Sequence, residues 1–581
     1  MVIPSTPERG PSIMVIEGAL TLIAIAVAFC WPRFGSKYFS RIEHVFGRLA
    51  RKQSLAVATV GVSALLLRFG ILPLCPIPHP FIQDDFSYLL ASDTFASGRL
   101  TNPTPAMWVH FESIHITMMP TYVSMYFPAQ GLILAAGKVL FGHPWYGLLC
   151  ASALMCGAIC WMLQAWLPPT WALLGGVLAV LRLGLFSYWI NTYTGGGSIA
   201  ALGGALMLGA FPRLMRGARL RNGLLLATGI VMLSLSRPYE GILLCLPIAV
   251  VLGRWAFFGK NRPPTTALLR FSAAPLALLI AAGAWMGYYN YRAFGNALTP
   301  PYNVDRATYA IAPHFIWQSP RPEPVYRHAV MRAFYTGWEL RTFRKVRTPS
   351  GFFAETALKL LRTIVFFAGI ALLPPLIMLR RVLLDDRPRF MVMCAIVLAA
   401  GMLMETWLNP HYIAPFTTVF YVIGLQSMRH LRLWSPNRQP VGAAVVRYIV
   451  TLCIVLAGLR TLAGPLHLSL SNFPTLMWAG QGDLGAERAS VEAGLEQLPG
   501  KQLVIVRYSP SHNSSSYDEW VYNNADIDGS KVIWAREMDA AENLELIRYY
   551  KDRNIWLVQP DMQRATVLPY PMPMQGTGIL R

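Results

Sequence analysis

The sequence predicts an all-α polytopic membrane protein of about twelve transmembrane helices, followed by a small soluble α/β domain. Three observations predict it. Of 581 residues, 54% are hydrophobic and only 14% are charged, whereas an ordinary soluble domain carries about 25% charged residues. The apolar residues gather into long runs that seldom alternate, which selects helices over a barrel when a bilayer is the solvent. After Pro465 the composition changes sharply, with ten Lys/Arg against fourteen Asp/Glu in residues 466–581.

Runs long enough to span occur at 13–31, 54–75, 145–166, 171–190, 197–212, 223–237, 240–258, 267–289, 353–379, 390–407, 411–428 and 441–463. The first lacks a basic lead and a small-residue cleavage site, so it reads as a span and not a signal peptide. The stretch 120–142 is punctuated by Pro120, Pro128, Gly131 and Gly137 and carries Lys138; it reads as a helix lying in the outer interface.

Five connecting segments are basic: 33–52, 213–221, 254–270, 380–389 and 429–447. Short positive loops stay cytoplasmic, and all five agree with one topology if 120–142 does not cross. The net charge of +21 therefore reports topology and excludes nucleic acid as a partner. The eight cysteines lie in or beside apolar runs, which argues against a disulfide framework.

The expected organisation is an N-terminal helix with a basic loop (1–53), a membrane core (54–465) with outer loops 76–144 and 290–352, and an extracytoplasmic α/β domain (466–581). In that domain, residues 503–506, 532–534 and 555–558 read as buried strands and 540–552 as a helix. No Gly-rich fingerprint follows a strand. An accessory or docking role is expected, and the polar run 509–517 reads as a loop open to a sugar or to solvent.

Everything with chemical potential falls on the outer face. Asp84 and Asp85 follow a span directly, and ionisable groups at the membrane edge are functional by default; a solvated pair at a helix N-terminus is the bland reading. His110, Glu112 and His115 in the same loop are zinc or manganese donor types, although their spacing matches no helical zinc motif. Arg237 needs an anionic partner in a bundle, either Glu240 or a ligand phosphate. Loop 290–352 is rich in arginine, including Arg292 and Arg306, which suits an anionic ligand or anionic lipids. His411 starts a late span as a metal ligand, a proton carrier or a helix-end polar group.

The order of these motifs resembles the GT-C class of integral membrane glycosyltransferases. Within it, the chain looks like the protein O-mannosyltransferase and aminoarabinose-transferase superfamily (glycosyltransferase family 39-like). Asp84-Asp85-Phe86-Ser87-Tyr88-Leu89 resembles the start of that superfamily's first outer loop. Tyr126-Phe127-Pro128-Ala129-Gln130 with Leu140-Phe141-Gly142 resembles its end. Arg237-Pro238-Tyr239-Glu240-Gly241 and His411-Tyr412 with Pro415 resemble two span starts. The resemblance covers roughly residues 54–463; loop 92–125 departs from it, and helix 13–31 is an addition.

The resemblance implies a polyprenyl-phosphate-linked sugar as donor and an acceptor hydroxyl on protein, lipid or glycan, in a bacterial inner or plasma membrane with the site on the periplasmic side. It implies Asp84 as general base with inversion at the anomeric carbon, and Asp85 orienting Asp84 or binding acceptor or metal. Arg237, Arg292 and Arg306 would hold the donor phosphate, and Glu112, Tyr88 and Glu240 would position the acceptor. A divalent metal (Zn, Mn or Mg) would sit on His110, Glu112 and His411. The competing reading is a transporter or flippase of lipid-linked sugars, which calls for polar residues through the midplane and internal repeats. Only Arg182 and Arg68 fit the first requirement, and no repeat is evident.

Overall fold

The computed structural model describes residues 12–258, 263–386, 388–469, 485–510, 512, 519–562 and 565–571. Each expected span falls on helix. Among the described residues, seven helices are long and apolar enough to cross a membrane: 13–30, 53–70, 145–163, 197–216, 238–258, 271–294 and 441–461. Pro374–Leu384 and Arg389–Met404, bent by 109°, make an eighth if taken together. Helices 169–184 and 220–234 are apolar but shorter, and Pro349–Ala368 carries Glu355, Lys359 and Arg362. Twelve full-length crossings therefore exceed what length and composition support.

The apolar helices turn large side chains outward. Only 22% of the 13–30 window and 6% of the 271–294 window are buried, with Leu22 and Ile280 among the exposed residues. So much contiguous apolar surface is incompatible with water, and the chain is an integral membrane protein. The protein-facing core lies among helices 53–70, 145–163, 169–179, 197–216, 417–432 and 441–461.

Helix α1 (Ile13–Cys30) is fastened to this core by one carboxylate. Glu17 accepts the Ile370 and Ala371 backbone N–H groups at 3.0 Å each and pairs with Arg460 at 2.9 Å. The segment 33–52 is not a loop: residues Ser36–Arg51 form an amphipathic helix, α2. The periodicity that closes it was hidden because its apolar positions are few and its charges many. Helix α3 (Gln53–Gly70) follows. Arg68 and Arg182, the cations expected nearest the midplane, are internally engaged. Arg68 donates to the Cys75 carbonyl and Asn191 Oδ1, both at 2.9 Å, and stacks on Trp145. Arg182 sits in a π-helical break, within the field of Glu17 and Arg460.

Helix α4 (Gln83–Ala96) carries the acidic pair in its first turn. A two-stranded ribbon, β1 (Ile116–Thr117) and β2 (Val123–Ser124), lies beside it, with Ile116 opposite Ser124. Helix α5 (Pro128–Phe141) packs on α4; its 14 residues reach about 21 Å, less than the ~30 Å hydrocarbon core.

The three expected strand runs near the C-terminus are β3 (Lys501–Val506), β4 (Val532–Arg536) and β5 (Arg553–Gln559). A fourth, β6 (Thr566–Pro569), was not expected. The order is β4-β3-β5-β6; the first three are parallel and β6 is antiparallel to β5. The helix Ala540–Tyr549 connects β4 to β5. Most of the run 509–517 lies outside the described residues.

Candidate active site

Four segments expected on one side of the membrane meet here. Thr194 Oγ1 donates to Asp84 Oδ2 at 3.0 Å, and the Tyr193 backbone N–H donates to Asp85 Oδ1 at 2.9 Å. Arg237 donates to the Gly195 carbonyl at 2.9 Å. The Tyr188 hydroxyl lies 2.6 Å from His411 Nδ1. The first outer loop, the 191–197 turn, the 236–241 turn and the 409–412 turn therefore share one end of the bundle. At the other end, Glu43 of the first basic segment pairs with Arg432 and Arg447 of the fifth.

The centre is Asp84. His115 Nδ1 stands 2.8 Å from its Oδ1, and the Tyr126 hydroxyl donates to the same oxygen at 2.5 Å. The ribbon makes this meeting possible: the His115 carbonyl accepts the Met125 N–H at 3.2 Å and the Ser87 hydroxyl at 2.7 Å. His115 holds a left-handed backbone, φ +62°, a conformation that costs a non-glycine residue about 1–3 kcal/mol and clusters at functional sites. Burial works to raise the Asp84 pKa, but the hydrogen bond and charge of His115, the Tyr126 hydroxyl and the field of His411 prevail and hold it at about 2. Burial opposes a charged His115, yet Asp84 raises its pKa. The 2.8 Å contact and the Asp84 charge both favour the protonated imidazole. Oδ1 is thus saturated, while Oδ2 has Thr194 alone among the described residues, and the Asp84 side chain is 17% exposed.

Asp85 is different. It is fully buried, accepting the Phe81 and Tyr193 N–H groups at 3.3 and 2.9 Å. Burial pushes its pKa up to about 8 against the Phe81 hydrogen bond, with the Asp84 charge adding to the rise. It ties two chain segments together.

Three tyrosines stand near both Asp84 and Arg237. Tyr88, stacked on Tyr126 at 4.3 Å, Tyr302 and Tyr412 all lie in the fields of both Asp84 and Arg237. Arg237 stacks on Tyr412 at 4.6 Å, and its buried Nε has no partner among the described residues. No salt bridge joins Arg237 to Glu240 there, so the expected alternatives are not resolved in favour of the internal acid. Glu240 is buried near Glu405, whose two carboxylate oxygens also lack hydrogen-bond partners among the described residues. His314 Nε2 is 3.6 Å from Glu405.

Other expectations change. Arg306 is committed to Glu339, with both Nη atoms 3.0 Å from its carboxylate oxygens, and is not free for a phosphate. Arg292 is exposed and bonds only Tyr288 among the described residues. Glu112 accepts the Tyr309 hydroxyl at 2.8 Å and lies 3.6 Å from both Arg327 and His328; burial raises its pKa over the influence of Tyr309 and Arg327. His110 Nδ1 stands 3.1 Å from the Arg536 carbonyl. His110 and Glu112 face Arg536 and His328 while His411 faces Tyr188, and no group of three metal donors exists among the described residues. The donor set does not fit a metal ion, because each member is spent on a protein partner.

Residues that carry the site but were not assigned to it from sequence are His115 as partner of Asp84, Tyr126, Thr194, Tyr302, His314 and Glu405. Glu405 had a signal, an acid at the end of an apolar run. Thr194 and Tyr302 had none, because only the fold brings them there.

No family model matches the chain, and no curated protein matches it. Solved structures do show a distant likeness. ArnT from Cupriavidus metallidurans in the apo state is 13% identical, with 86% of this chain and 92% of that chain covered, at a TM-score of 0.48. The same protein bound to undecaprenyl phosphate gives 11%, 87%, 92% and 0.45. The Archaeoglobus fulgidus oligosaccharyltransferase in the apo form gives 9% identity and a TM-score of 0.42; 78% of this chain matches, spanning 62% of that one. Likenesses at these scores decide nothing about activity; the side chains must.

Proposed function

We propose that the protein is a membrane glycosyltransferase that moves a sugar from a polyprenyl-phosphate donor to an acceptor hydroxyl, on the extracytoplasmic side of a bacterial inner membrane. The observation that carries this reading is a carboxylate edge, Oδ2 of Asp84, that accepts only Thr194 among the described residues and shares its tyrosine neighbours with an arginine whose Nε has no partner among them. The motif resemblance supplies the reaction class, and Asp84 and Arg237 supply a group for each end of the transfer.

The acceptor hydroxyl docks on Asp84 Oδ2. Its oxygen bonds to the anomeric carbon from the face opposite the phosphate, the carbon–phosphate oxygen bond breaks, and the configuration inverts. The proton goes to Asp84 and the electron pair leaves on the polyprenyl phosphate. A carboxylate held at about pKa 2 is a weak base, so it takes the proton late, after the attacking oxygen has become acidic by bonding to an electron-poor carbon. Its fixed negative charge also stabilises positive charge building on the sugar ring. Arg237 meets the charge that develops on the departing phosphate, which suits a guanidinium fork. His115 holds Asp84 ionised and oriented.

The test is Asp84→Asn in the full-length protein, assayed with a radiolabelled polyprenyl-phosphate sugar. Transfer is expected to fall by about 10²–10⁴ at unchanged expression. Wild-type transfer by a normally expressed variant refutes the assignment.

A further inference from the structure

Helix α2 takes no part in the proposed chemistry, and its surface is unusual. Residues three and four apart share a helix face, and α2 sorts into three stripes on that rule. Phe39, Glu43 and Phe46 turn inward, where Glu43 receives Arg432 and Arg447, each through two nitrogens. Tyr38, Ile42 and Val45 make a second stripe that is 73, 63 and 53% exposed. Lys37, Arg41, Arg48 and Arg51 make the third. All four are exposed and have no hydrogen bond or ion pair among the described residues. Between Trp31 and Gln53 there are six Lys/Arg and one acid, and that acid is already spent on two arginines.

An apolar slot of about 420 Å³ opens beside the helix, walled by Phe39, Ile42 and Phe46 of α2 and by Trp171 and Val450 from the core. Arg432 and Arg447 also line it. A slot of this size falls in the range of small-ligand sites.

We propose that α2 forms a docking surface for an anionic phospholipid, with an acyl chain along the exposed Tyr38, Ile42 and Val45 stripe, which meets the slot at Ile42, and the headgroup phosphate among the cations of the adjoining stripe. Charge complementarity decides the occupant. An uncovered apolar stripe next to an unneutralised basic stripe is the arrangement of a helix lying in a negatively charged membrane interface. A second copy of the chain fits poorly, since a two-fold contact would bring the same patch against itself, cation against cation. A zwitterionic lipid satisfies the apolar stripe but leaves the excess positive charge unanswered. The proposal stands independently of the glycosyltransferase reading.

The experiment compares retention of phosphatidylglycerol and phosphatidylcholine by the purified full-length protein, using native mass spectrometry after mild delipidation. The wild type is expected to hold phosphatidylglycerol preferentially. The variant R41Q/R48Q/R51Q is expected to lose that preference by on the order of a hundredfold, at about fivefold per charge near an anionic surface. Should the triple variant melt below wild type in phosphatidylcholine, R48Q alone is measured, with about a fivefold loss expected. Equal retention of the two lipids by the wild type overturns the proposal, as does unchanged preference in the variants. A wild-type dimer that the variant dissociates would assign the face to a second copy and overturn it too.

Discussion

His115→Asn separates a catalytic role for Asp84 from a merely structural one. Asparagine tolerates the left-handed backbone better than most residues, so the φ of +62° is accommodated and the change removes mainly charge. The lost contact is a buried charge-assisted hydrogen bond of 2.8 Å, worth about 1.5–3 kcal/mol. At 1.36 kcal/mol per unit, Asp84 should rise by about one to two pKa units, from about 2. The Tyr126 hydroxyl and Thr194 remain on the carboxylate, so the base is still held in place. The expected outcome is an acidic limb in the pH profile of kcat/KM near pH 4, where the wild type is flat. At pH 7 the rate should change by less than about tenfold, because a stronger base offsets looser positioning. The assay is initial-rate transfer from a labelled polyprenyl donor between pH 3.5 and 8, with kcat and KM separated. An acid limb that does not move, with the variant folded, refutes the claim that His115 sets the protonation of a catalytic Asp84.

Asp85 should act on stability in the opposite pH range. Its folded pKa is raised to about 8, so its contribution is complete below the unfolded value near 4 and disappears as pH climbs through 8. Between those values each pH unit costs up to about 1.4 kcal/mol; thermal melts should show a decline that Asp85→Asn flattens, while lowering stability overall. Arg237→Lys keeps a charge but loses the fork and the stack on Tyr412; kcat/KM should fall by about 10- to 100-fold, and a wild-type value would remove Arg237 from the donor site. Gly195→Ala places a Cβ 2.5 Å from the His411 ring at a φ of +80°. Melting temperature and transfer should both drop, by at least about 1–3 kcal/mol of stability, and an unaltered melt would contradict the packing of the 191–197 turn on His411.

The membrane-facing architecture was legible because hydropathy and basic loops follow directly from the cost of placing polar groups in hydrocarbon. The same reasoning led to Asp84 and Arg237, since ionisable groups at the membrane edge stand out against an apolar background. It misassigned Arg306, because an arginine and its acid, Glu339, are 33 residues apart and no spacing rule joins them. From sequence, His115 groups with His110 and Glu112 as candidate metal donors or a polar interfacial cluster. Their proximity along the chain concealed that the ribbon turns His115 toward Asp84 while His110 and Glu112 face the C-terminal sheet. Thr194 and Tyr302 were invisible, as neither residue type is unusual where it occurs. The amphipathic α2 was read as a loop because charge dominates its composition, although the 3.6-residue period is present.

Residues near the C-terminus pack against the loop that carries Asp84 and His115. Phe86, two residues after Asp84, stacks on Tyr522 at 4.2 Å with a 4° interplanar angle, and the Arg488 guanidinium lies 4.8 Å from the same ring. Just before the ribbon, Ser113 donates to the Val521 carbonyl at 2.5 Å, and Arg536 donates to the Glu112 carbonyl at 3.0 Å. Near the far end of the ribbon, the Tyr122 hydroxyl donates to the Asn523 carbonyl at 2.9 Å. The segments that carry Asp84 and His115 are thus braced by Arg488, Val521, Tyr522, Asn523 and Arg536. The buried pair of Arg536 with Glu519, 2.8 Å apart, is costly to desolvate, yet it sits where a shift would be transmitted to His115. A misplacement of about 1 Å can cost about 10²-fold in rate, which gives a physical reason for retaining a buried ion pair so close to a carboxylate whose direction matters.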